Sequence, residues 1–181
     1  MKLKVNHDVA RGTNILSVEV PDELRRRIPT GLSHIDDALG GRGFTPSMVT
    51  LFTGTPGAGK TTLMLEAANA LQGKGATVLF NTAEESLFQL KMTVERLRLR
   101  HGFVAGQDTM VEDLLAHADE LREANPNKPF FLIIDSLQTL NDGKYGQNNT
   151  NSKTAERSLS LITDYCKENF CNAIVIGQVT K

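Results

Sequence analysis

The sequence lacks several features that define common protein classes. Its 181 residues include two cysteines, Cys166 and Cys171, and no C-x-x-C pair, which argues against a zinc module or a disulfide framework and fits a reducing compartment. No apolar run approaches the ~20 residues of a membrane span, and the N-terminus has no apolar segment typical of a signal peptide. We therefore expect a cytoplasmic protein with no membrane partner and no zinc.

A strong excess of charge of one sign is also missing. The net charge is −1, so no global basic field attracts nucleic acid, and any such contact would depend on local patches. The hydrophobic fraction of 40% and the charged fraction of 23% are ordinary for a globular chain long enough for one domain with its own core. The sequence contains no internal repeat and no low-complexity tract.

What the sequence does contain is an alternation of strand and helix patterns. Apolar, β-branched runs at 48–53, 77–82, 130–135 and 173–178 predict four strands, and amphipathic segments between them predict helices. Buried strands that alternate with helices are typical of a parallel sheet covered on both faces. We therefore predict an α/β fold with a mainly parallel sheet.

Two pairs of side chains predict where helices begin. Thr82 and Glu85 have the spacing of a capping box for a helix that runs from about residue 84 to 100. Thr109 and Glu112 have the same spacing before the next amphipathic segment.

The N-terminal part is less regular. Ser33, with Asp36 three residues later, predicts a cap for a short helix that ends at Gly40 and Gly41. Residues 14–20 alternate weakly and are a candidate strand.

The strongest local signal is TGTPGAGKTT, residues 53–62, between a predicted strand and a strong helix former. It contains the full G-x-x-x-x-G-K-[ST] pattern, in which glycines allow backbone N–H groups to approach a triphosphate at the start of a helix. Lys60 would reach the β- and γ-phosphates, and the Thr61 hydroxyl would ligate Mg²⁺. The residues expected to contact the nucleotide are Gly54, Thr55, Pro56, Gly57, Ala58, Gly59, Lys60, Thr61 and Thr62.

Polar residues stand at the ends of the three other predicted strands, where the ligands of open parallel sheets bind. Asp135 would hold the Mg²⁺ shell, or would simply cap a turn. Glu84 or Glu85 would orient and deprotonate an attacking water. We favour Glu84, because the predicted capping box occupies the side chain of Glu85. The alternative is that both acids only stabilise the start of the helix through its dipole. Gln178 would contact the γ-phosphate and sense its loss, or would be a buried amide satisfied by the backbone.

A polar loop predicted at 141–152 is the candidate contact with nucleic acid. Lys144 and Tyr145 combine a cation with an aromatic ring, as stacking on a single strand requires, and Lys153 and Arg157 follow shortly after. The alternative is a solvated surface loop, which the residues alone favour.

Together these segments resemble the ATPase core of the RecA superfamily. The stretches TGLSHIDDALGGRGFTPSMVTLFTGTPGAGKTTLMLEAA, FNTAEES, LIIDSLQTL and IVIGQVTK match it in order, over about residues 29–181. Within the superfamily the sequence looks closest to the bacterial RadA (Sms) branch-migration family, with DnaB-type helicases and KaiC-like ATPases more distant.

The resemblance implies a RecA-like P-loop NTPase with three α/β/α layers at 29–181, after an N-terminal extension at 1–28. It places the catalytic glutamate at Glu84, the Walker B acid at Asp135 and the polar end of the fourth strand at Gln178, with Lys60 completing the catalytic group. It also implies Mg²⁺-dependent hydrolysis of ATP, coupled to single-stranded DNA in recombination, repair or replication. The expected assembly is a homo-oligomer, such as a hexameric ring or filament, and the segment 141–147 would contribute to DNA binding.

The sequence also departs from that family. Its members carry an N-terminal four-cysteine zinc finger, a Lys-Asn-Arg-Phe-Gly motif and a protease-like C-terminal domain, which this sequence lacks. RecA-like sheets usually have a further strand beside the phosphate-loop strand, so we expect a sheet that is C-terminally short, with its later strands missing. Residues 48–53 would then be an exposed apolar edge, unless residues 14–20, a neighbouring subunit or a partner chain covers it. A natural short form, a split gene and a truncated chain would each explain these departures.

Two alternative functions stay open. One is a nucleotide-binding interaction subunit with little hydrolysis of its own, whose partner supplies the missing strand and a trans-acting lysine or arginine. The other is a KaiC-like signalling ATPase that does not act on DNA.

Overall fold

The computed structural model describes residues 12–144 and 152–178, with the backbone alone for Ser152 and Gln178. Within these residues five strands form one sheet: β1 Val49–Gly54, β2 Thr77–Thr82, β3 Val104–Gly106, β4 Phe130–Asp135 and β5 Asn172–Gln178. The α-helices are α1 Asp22–Arg25, α2 Ser33–Ala38, α3 Lys60–Gly73, α4 Leu87–Arg96, α5 Val111–Glu123 and α6 Ser152–Asn169.

All strand pairs are parallel, in the order β1-β5-β4-β2-β3, which confirms the predicted α/β fold. β5 lies between β1 and β4, so the strand that precedes the phosphate loop and the strand that ends in Asp135 are not neighbours. All carboxyl ends therefore meet at one edge of the sheet, where ligands of such folds bind.

Two apolar cores cover the two faces of the sheet and give the predicted three layers. One face of β4 presents Leu132 and Ile134 to a core that includes side chains of α5 and α6. The other face presents Phe131 and Ile133 to a core shared with α3 and α4. Both faces of β4 are buried because each is covered by helices, which explains its continuous apolar sequence.

The prediction for the start of α4 is wrong. The helix is capped by Ser86, four residues after the predicted cap Thr82. The Ser86 side chain accepts from the Gln89 N–H and the Gln89 side chain accepts from the Ser86 N–H, which completes a capping box. Thr82 does accept from the Glu85 N–H, at 3.4 Å, but this bond closes the turn after β2 rather than opening a helix. α4 also ends earlier than predicted, at Arg96.

The predicted side-chain caps of α2 and α5 are also wrong. α5 begins after Met110 with no side-chain cap, because the carbonyl of Asn141 accepts from the Val111 N–H at 2.9 Å. α2 begins after Leu32, and the Asp36 carboxylate reaches back to the N–H groups of Thr30 and Gly31, both at 2.8 Å.

Glycine ends α2, as its sequence predicted. The backbone of Gly40 and Gly41 turns to φ of 80° and 79°, which side chains other than glycine rarely adopt.

Residues 14–20 do not form the predicted strand. Ile15–Ser17 is a 3-10 turn capped by the Asn14 side chain, and every residue from 12 to 20 is exposed. On its outer side β1 has no strand partner among the described residues, and Leu51 in its middle is 51% exposed. The expected apolar edge is therefore present in the described part of the chain.

The short strand β3 was not predicted. It has three residues, Val104–Gly106, and pairs only with β2. In the described ranges no helix is long and apolar enough to cross a membrane.

Candidate active site

The phosphate-loop sequence forms a tight connection between β1 and α3. Gly54 ends β1, and the backbone of Gly57 and Gly59 is left-handed, with φ of 76° and 78°, which a side chain would strain. Thr55, Pro56, Gly57, Ala58 and Gly59 are exposed, while Thr61 and Thr62 are half-buried in the first turn of α3. The loop is thus an open backbone cradle at the positive end of a 14-residue helix.

Lys60 points back into this loop. Its ammonium donates to the carbonyls of Gly54 and Thr55, both at 2.9 Å. These two bonds hold the positive charge over the loop that is expected to bind phosphate. An anion in the cradle would therefore meet the lysine, the helix end and the loop N–H groups together.

Thr61 and Asp135 join the loop to the end of β4. The Thr61 hydroxyl donates to the Asp135 carboxylate at 2.6 Å, although the residues are 74 positions apart in sequence. Asp135 is buried, and burial is the largest cause of its raised pKa. The negative charges of Glu84 and Glu85 raise that pKa further, while the Thr61 hydrogen bond and the Lys60 charge lower it.

Glu84 and Glu85 differ in their surroundings. The Ser136 hydroxyl donates to the Glu84 carboxylate, so Glu84 contacts the residue that directly follows Asp135. The Glu85 backbone is tied to its neighbours through Thr82 and through Gln107, whose side chain donates to the Glu85 carbonyl at 3.1 Å. The structure therefore brings the Glu84 side chain to the end of β4, although Glu85 does not form the capping box that was predicted for it.

Sequence reasoning missed Ser136. It is 1% exposed and lies between Asp135 and a short 3-10 turn, Leu137–Thr139. Its place directly after the strand-end acid was the available signal, but a single serine there has no motif of its own.

The remaining predicted site residues are only partly described. Gln178 pairs in register with Gly54, which places its backbone beside the phosphate loop, but its side chain lies outside the described residues. Lys144 is exposed at the end of the described segment that leads into the predicted loop, and Tyr145 lies outside the described residues. Arg157 pairs with Asp142 and lowers the pKa of that carboxyl, so its charge is already matched within the fold.

The residues present suit a nucleotide with Mg²⁺. The hydroxyl of Thr61 and the carboxylate of Asp135 are oxygen ligands of the kind that Mg²⁺ prefers. The charges of Glu84 and Glu85 raise the pKa of Asp135, so a cation bound here would relieve the repulsion on Asp135. The geometry thus combines an anion cradle with an adjacent cation position.

Comparison with known families agrees with this geometry. Residues 50–181 match the family described as "ATPase family associated with various cellular activities (AAA)". A protein named DNA repair protein RadA from Mycolicibacterium smegmatis is 34% identical over 162 residues, covering 86% of this chain and 33% of its own length. The protein of the same name from Mycobacterium tuberculosis (strain CDC 1551 / Oshkosh) is 32% identical over 180 residues, covering 96% of this chain and 35% of its own.

Solved structures resemble the fold at low sequence identity. The ATPase domain of G40P superposes with a TM-score of 0.72 at 16% identity, covering 88% of this chain and 66% of that one. A DnaB-like replicative helicase, solved in a study of its interactions with primase, gives a TM-score of 0.69 at 15% identity. The match covers 85% of this chain and 43% of the helicase chain.

The chain spans about a third of the length of the curated relatives it matches. Its phosphate loop, its strand-end acid and all of its parallel sheet except Val49 lie within the matched residues 50–181. The chain belongs to the AAA-type P-loop ATPases, with a RecA-like fold and with relatives named RadA.

Proposed function

We propose that this chain binds ATP with Mg²⁺ and hydrolyses it, and that it couples this reaction to single-stranded DNA in recombination, repair or replication. The observation that carries the proposal is the hydrogen bond between Thr61 and Asp135, with Glu84 held beside Asp135 through Ser136. This contact joins the phosphate loop, the candidate metal ligands and the candidate base in one place.

Each residue has a distinct role in the proposal. Lys60 and the loop N–H groups bind and orient the phosphates, and Thr61 and Asp135 hold Mg²⁺, which when bound supplies positive charge against the phosphate oxygens. Glu84 accepts a proton from the attacking water at its carboxylate. Gln178, whose backbone lies opposite Gly54, is proposed to sense the terminal phosphate.

The proposal for DNA is supported by position and by the relatives. Asn141 pairs with residues 109 and 111, and Asp142 pairs with Arg157, so the fold fixes the start of the segment that carries Lys144. Lys144 and Lys153 are exposed on the two sides of residues 145–151. The relatives are named as DNA repair proteins, and the segment that carries Lys144 follows the strand-end acid Asp135 closely in sequence.

Steady-state ATP hydrolysis tests the enzymatic part. We would measure turnover by the purified chain with and without single-stranded DNA, over a range of protein concentrations. The Lys60→Ala variant serves as the blank, since it removes the charge that lies over the phosphate loop. We expect turnover in the wild-type chain, stimulation by DNA, and loss of at least about 100-fold in the variant. Equal turnover in the variant would contradict the proposal.

Salt-dependent binding tests the DNA part. Lys144→Ala should weaken binding to single strands. It should also reduce the slope of log binding constant against log salt concentration by about the amount that one phosphate contact contributes. Tyr145→Ala should cost ~1–3 kcal/mol of binding free energy if its ring stacks on a base. Lys91→Ala is a matched control, because Lys91 is exposed on α4 and paired with Glu95. DNA binding that neither loop variant changes would contradict the assignment of this loop.

The edge of the sheet favours one further possibility, a nucleotide-binding subunit completed by another chain. Leu51 is half exposed on β1, and a second subunit or a partner chain that adds a strand there would cover it. Turnover that rises more steeply than protein concentration would indicate completion by a second copy. Tight nucleotide binding with no turnover at any concentration would instead indicate a different partner.

A further inference from the structure

The residue after the strand-end acid makes a contact that no motif explains. Ser136 is 1% exposed, and its hydroxyl donates to one oxygen, Oε1, of the Glu84 carboxylate. Glu84 lies in the turn between β2 and α4, so this bond links two elements that are 52 positions apart in sequence. A buried hydroxyl directly after β4 thus holds an exposed carboxylate on a turn.

The hydroxyl has a different task from the Ser136 backbone. The Ser136 carbonyl accepts from the Thr139 hydroxyl at 2.7 Å and from the Thr139 N–H at 3.2 Å, and these bonds shape the 3-10 turn after β4. Removal of the hydroxyl alone leaves both of these backbone bonds in place. The two roles can therefore be separated by mutation.

A hydrogen bond to one carboxylate oxygen restricts where the other oxygen can point. A glutamate on a turn has three rotatable side-chain bonds, and a base must lie within hydrogen-bond reach of the proton it takes. Because Ser136 directly follows Asp135 on a buried strand, it would keep the Glu84 carboxylate at a constant place relative to the candidate metal ligands.

We infer that Ser136 is a positioning residue for Glu84 in ATP hydrolysis. This inference deepens the proposed function and rests on it. The Ser136 hydroxyl donates its hydrogen to Oε1, which directs the second oxygen of the carboxylate toward the water. In this proposal Ser136 acts through Glu84 and not on the phosphate or the metal directly.

The test is a double-mutant cycle between Ser136→Ala and Glu84→Gln. Turnover and nucleotide affinity are measured for the wild-type chain, both single variants and the double variant, each checked for folding by circular dichroism. Thr139→Ala is the matched control, because it removes a hydroxyl from the same turn that bonds to the Ser136 carbonyl and not to Glu84. Ser136→Thr keeps a hydroxyl and tests rescue.

We expect Ser136→Ala to lower kcat about 10-fold and to change nucleotide affinity less than about 2-fold, since only the orientation of the base is lost. In the Glu84→Gln background, Ser136→Ala should have no further effect on kcat, because the group that it orients is already gone. Ser136→Thr should recover most of the lost rate, and Thr139→Ala should retain a rate close to that of the wild-type chain.

Two results would overturn the inference while leaving the proposed function intact. One is an unchanged kcat in Ser136→Ala. The other is an equal loss of kcat from Ser136→Ala with and without Glu84, which would show that Ser136 acts elsewhere. If Ser136→Ala does not fold, Ser136→Cys replaces it in the same cycle, because a thiol is a weak donor of similar size.

Failure of the proposed function gives a different result. A wild-type chain without turnover under all conditions would contradict hydrolysis itself. In that case the free energy of unfolding in urea is measured without nucleotide for the same four proteins. A coupling energy between Ser136→Ala and Glu84→Gln then reports the contact directly. A coupling of zero would overturn the contact and with it the inference.

Discussion

Two polar clusters near opposite ends of β4 differ in how their charges are matched. Near the amino end of β4, Tyr165 donates to Asp119 at 2.8 Å, and Arg122 donates to Asp119 at 2.8 Å and to the Tyr165 hydroxyl at 3.1 Å. The three groups form a closed triangle with one cation and one anion. Arg122 also lies 5.5 Å from the centre of the Tyr165 ring.

At the carboxyl end of the same strand, charge is not matched in this way. Asp135 has the Thr61 hydroxyl as its partner, while Glu84 and Glu85 raise its pKa and Lys60 bonds to carbonyls rather than to a carboxylate. The Asp119 cluster has its charges matched within the described chain. The Asp135 cluster would be stabilised by an added cation. Strained electrostatics of the second kind are typical of functional sites.

The largest effect that would sharpen this contrast is on turnover. Glu84→Gln should lower kcat about 100-fold or more, because it removes the proposed base without changing the size of the side chain. Glu85→Gln should lower kcat less than about 5-fold, since the contacts found for Glu85 use its backbone. Steady-state ATP hydrolysis with matched protein concentrations checks both variants, and a larger loss in Glu85→Gln would reverse the assignment.

Removing one member of the triangle of Asp119, Arg122 and Tyr165 should lower the stability of the chain. Asp119→Ala removes the acceptor of both Arg122 and Tyr165 and should cost about 1.5 kcal/mol of unfolding free energy. Urea denaturation measures this cost, and Glu120→Ala is the control, because Glu120 is exposed on the same helix. An equal effect in both variants would mean that the triangle contributes nothing specific.

A substitution in the Asp135 cluster should raise the stability of the chain instead of lowering it. Burial raises the pKa of Asp135, so its charged form destabilises the native state, and Asp135→Asn should stabilise the nucleotide-free chain at neutral pH. The gain should shrink as the pH falls and disappear below the ordinary carboxyl pKa of 3.8, where the acid is neutral in both folded and unfolded states.

Urea denaturation at several pH values tests this gain. Asp164→Asn, at an exposed position of α6, is the control. A loss of stability in Asp135→Asn at neutral pH would show that the Thr61 hydrogen bond outweighs burial.

The smallest effect tests whether the triangle acts as a unit. Tyr165→Phe should cost about 0.5 kcal/mol, because Arg122 still donates to Asp119 when the hydroxyl is absent. The cost should shrink in the Asp119→Ala background if the two groups are coupled, although Arg122 still donates to the Tyr165 hydroxyl there. Additive losses measured by urea denaturation would show that each group contributes alone.

Much of the fold was predictable because its signals are local. Strands buried on both faces are continuously apolar, as in β4, and the phosphate loop has a fixed spacing of glycines and lysine. The strand-end residue Asp135 was placed correctly at the carboxyl edge of the sheet, beside the loop, because parallel strands all end there.

The missed features depend on contacts between distant residues. The start of α5 is set by Asn141, and the three-residue strand β3 exists through its pairing with β2, so neither has a pattern of its own. The contact of Ser136 with Glu84 likewise depends on how the turn after β2 lies across β4. The roles assigned to Glu84, Gln178 and Lys144 stay predictions, since side-chain identity at a strand end does not reveal what binds there.

The position of β5 has a consequence for how the chain is made. Among the described residues β1 pairs with β5 alone, from Val49 opposite Ala173 to Gly54 opposite Gln178. During synthesis the phosphate loop therefore emerges early, but its strand has no place in the sheet until the ribosome has released residues 172–178. Until then β1 lacks the one strand with which it pairs in the described part of the chain, and an unpaired apolar strand makes a nascent chain prone to aggregation.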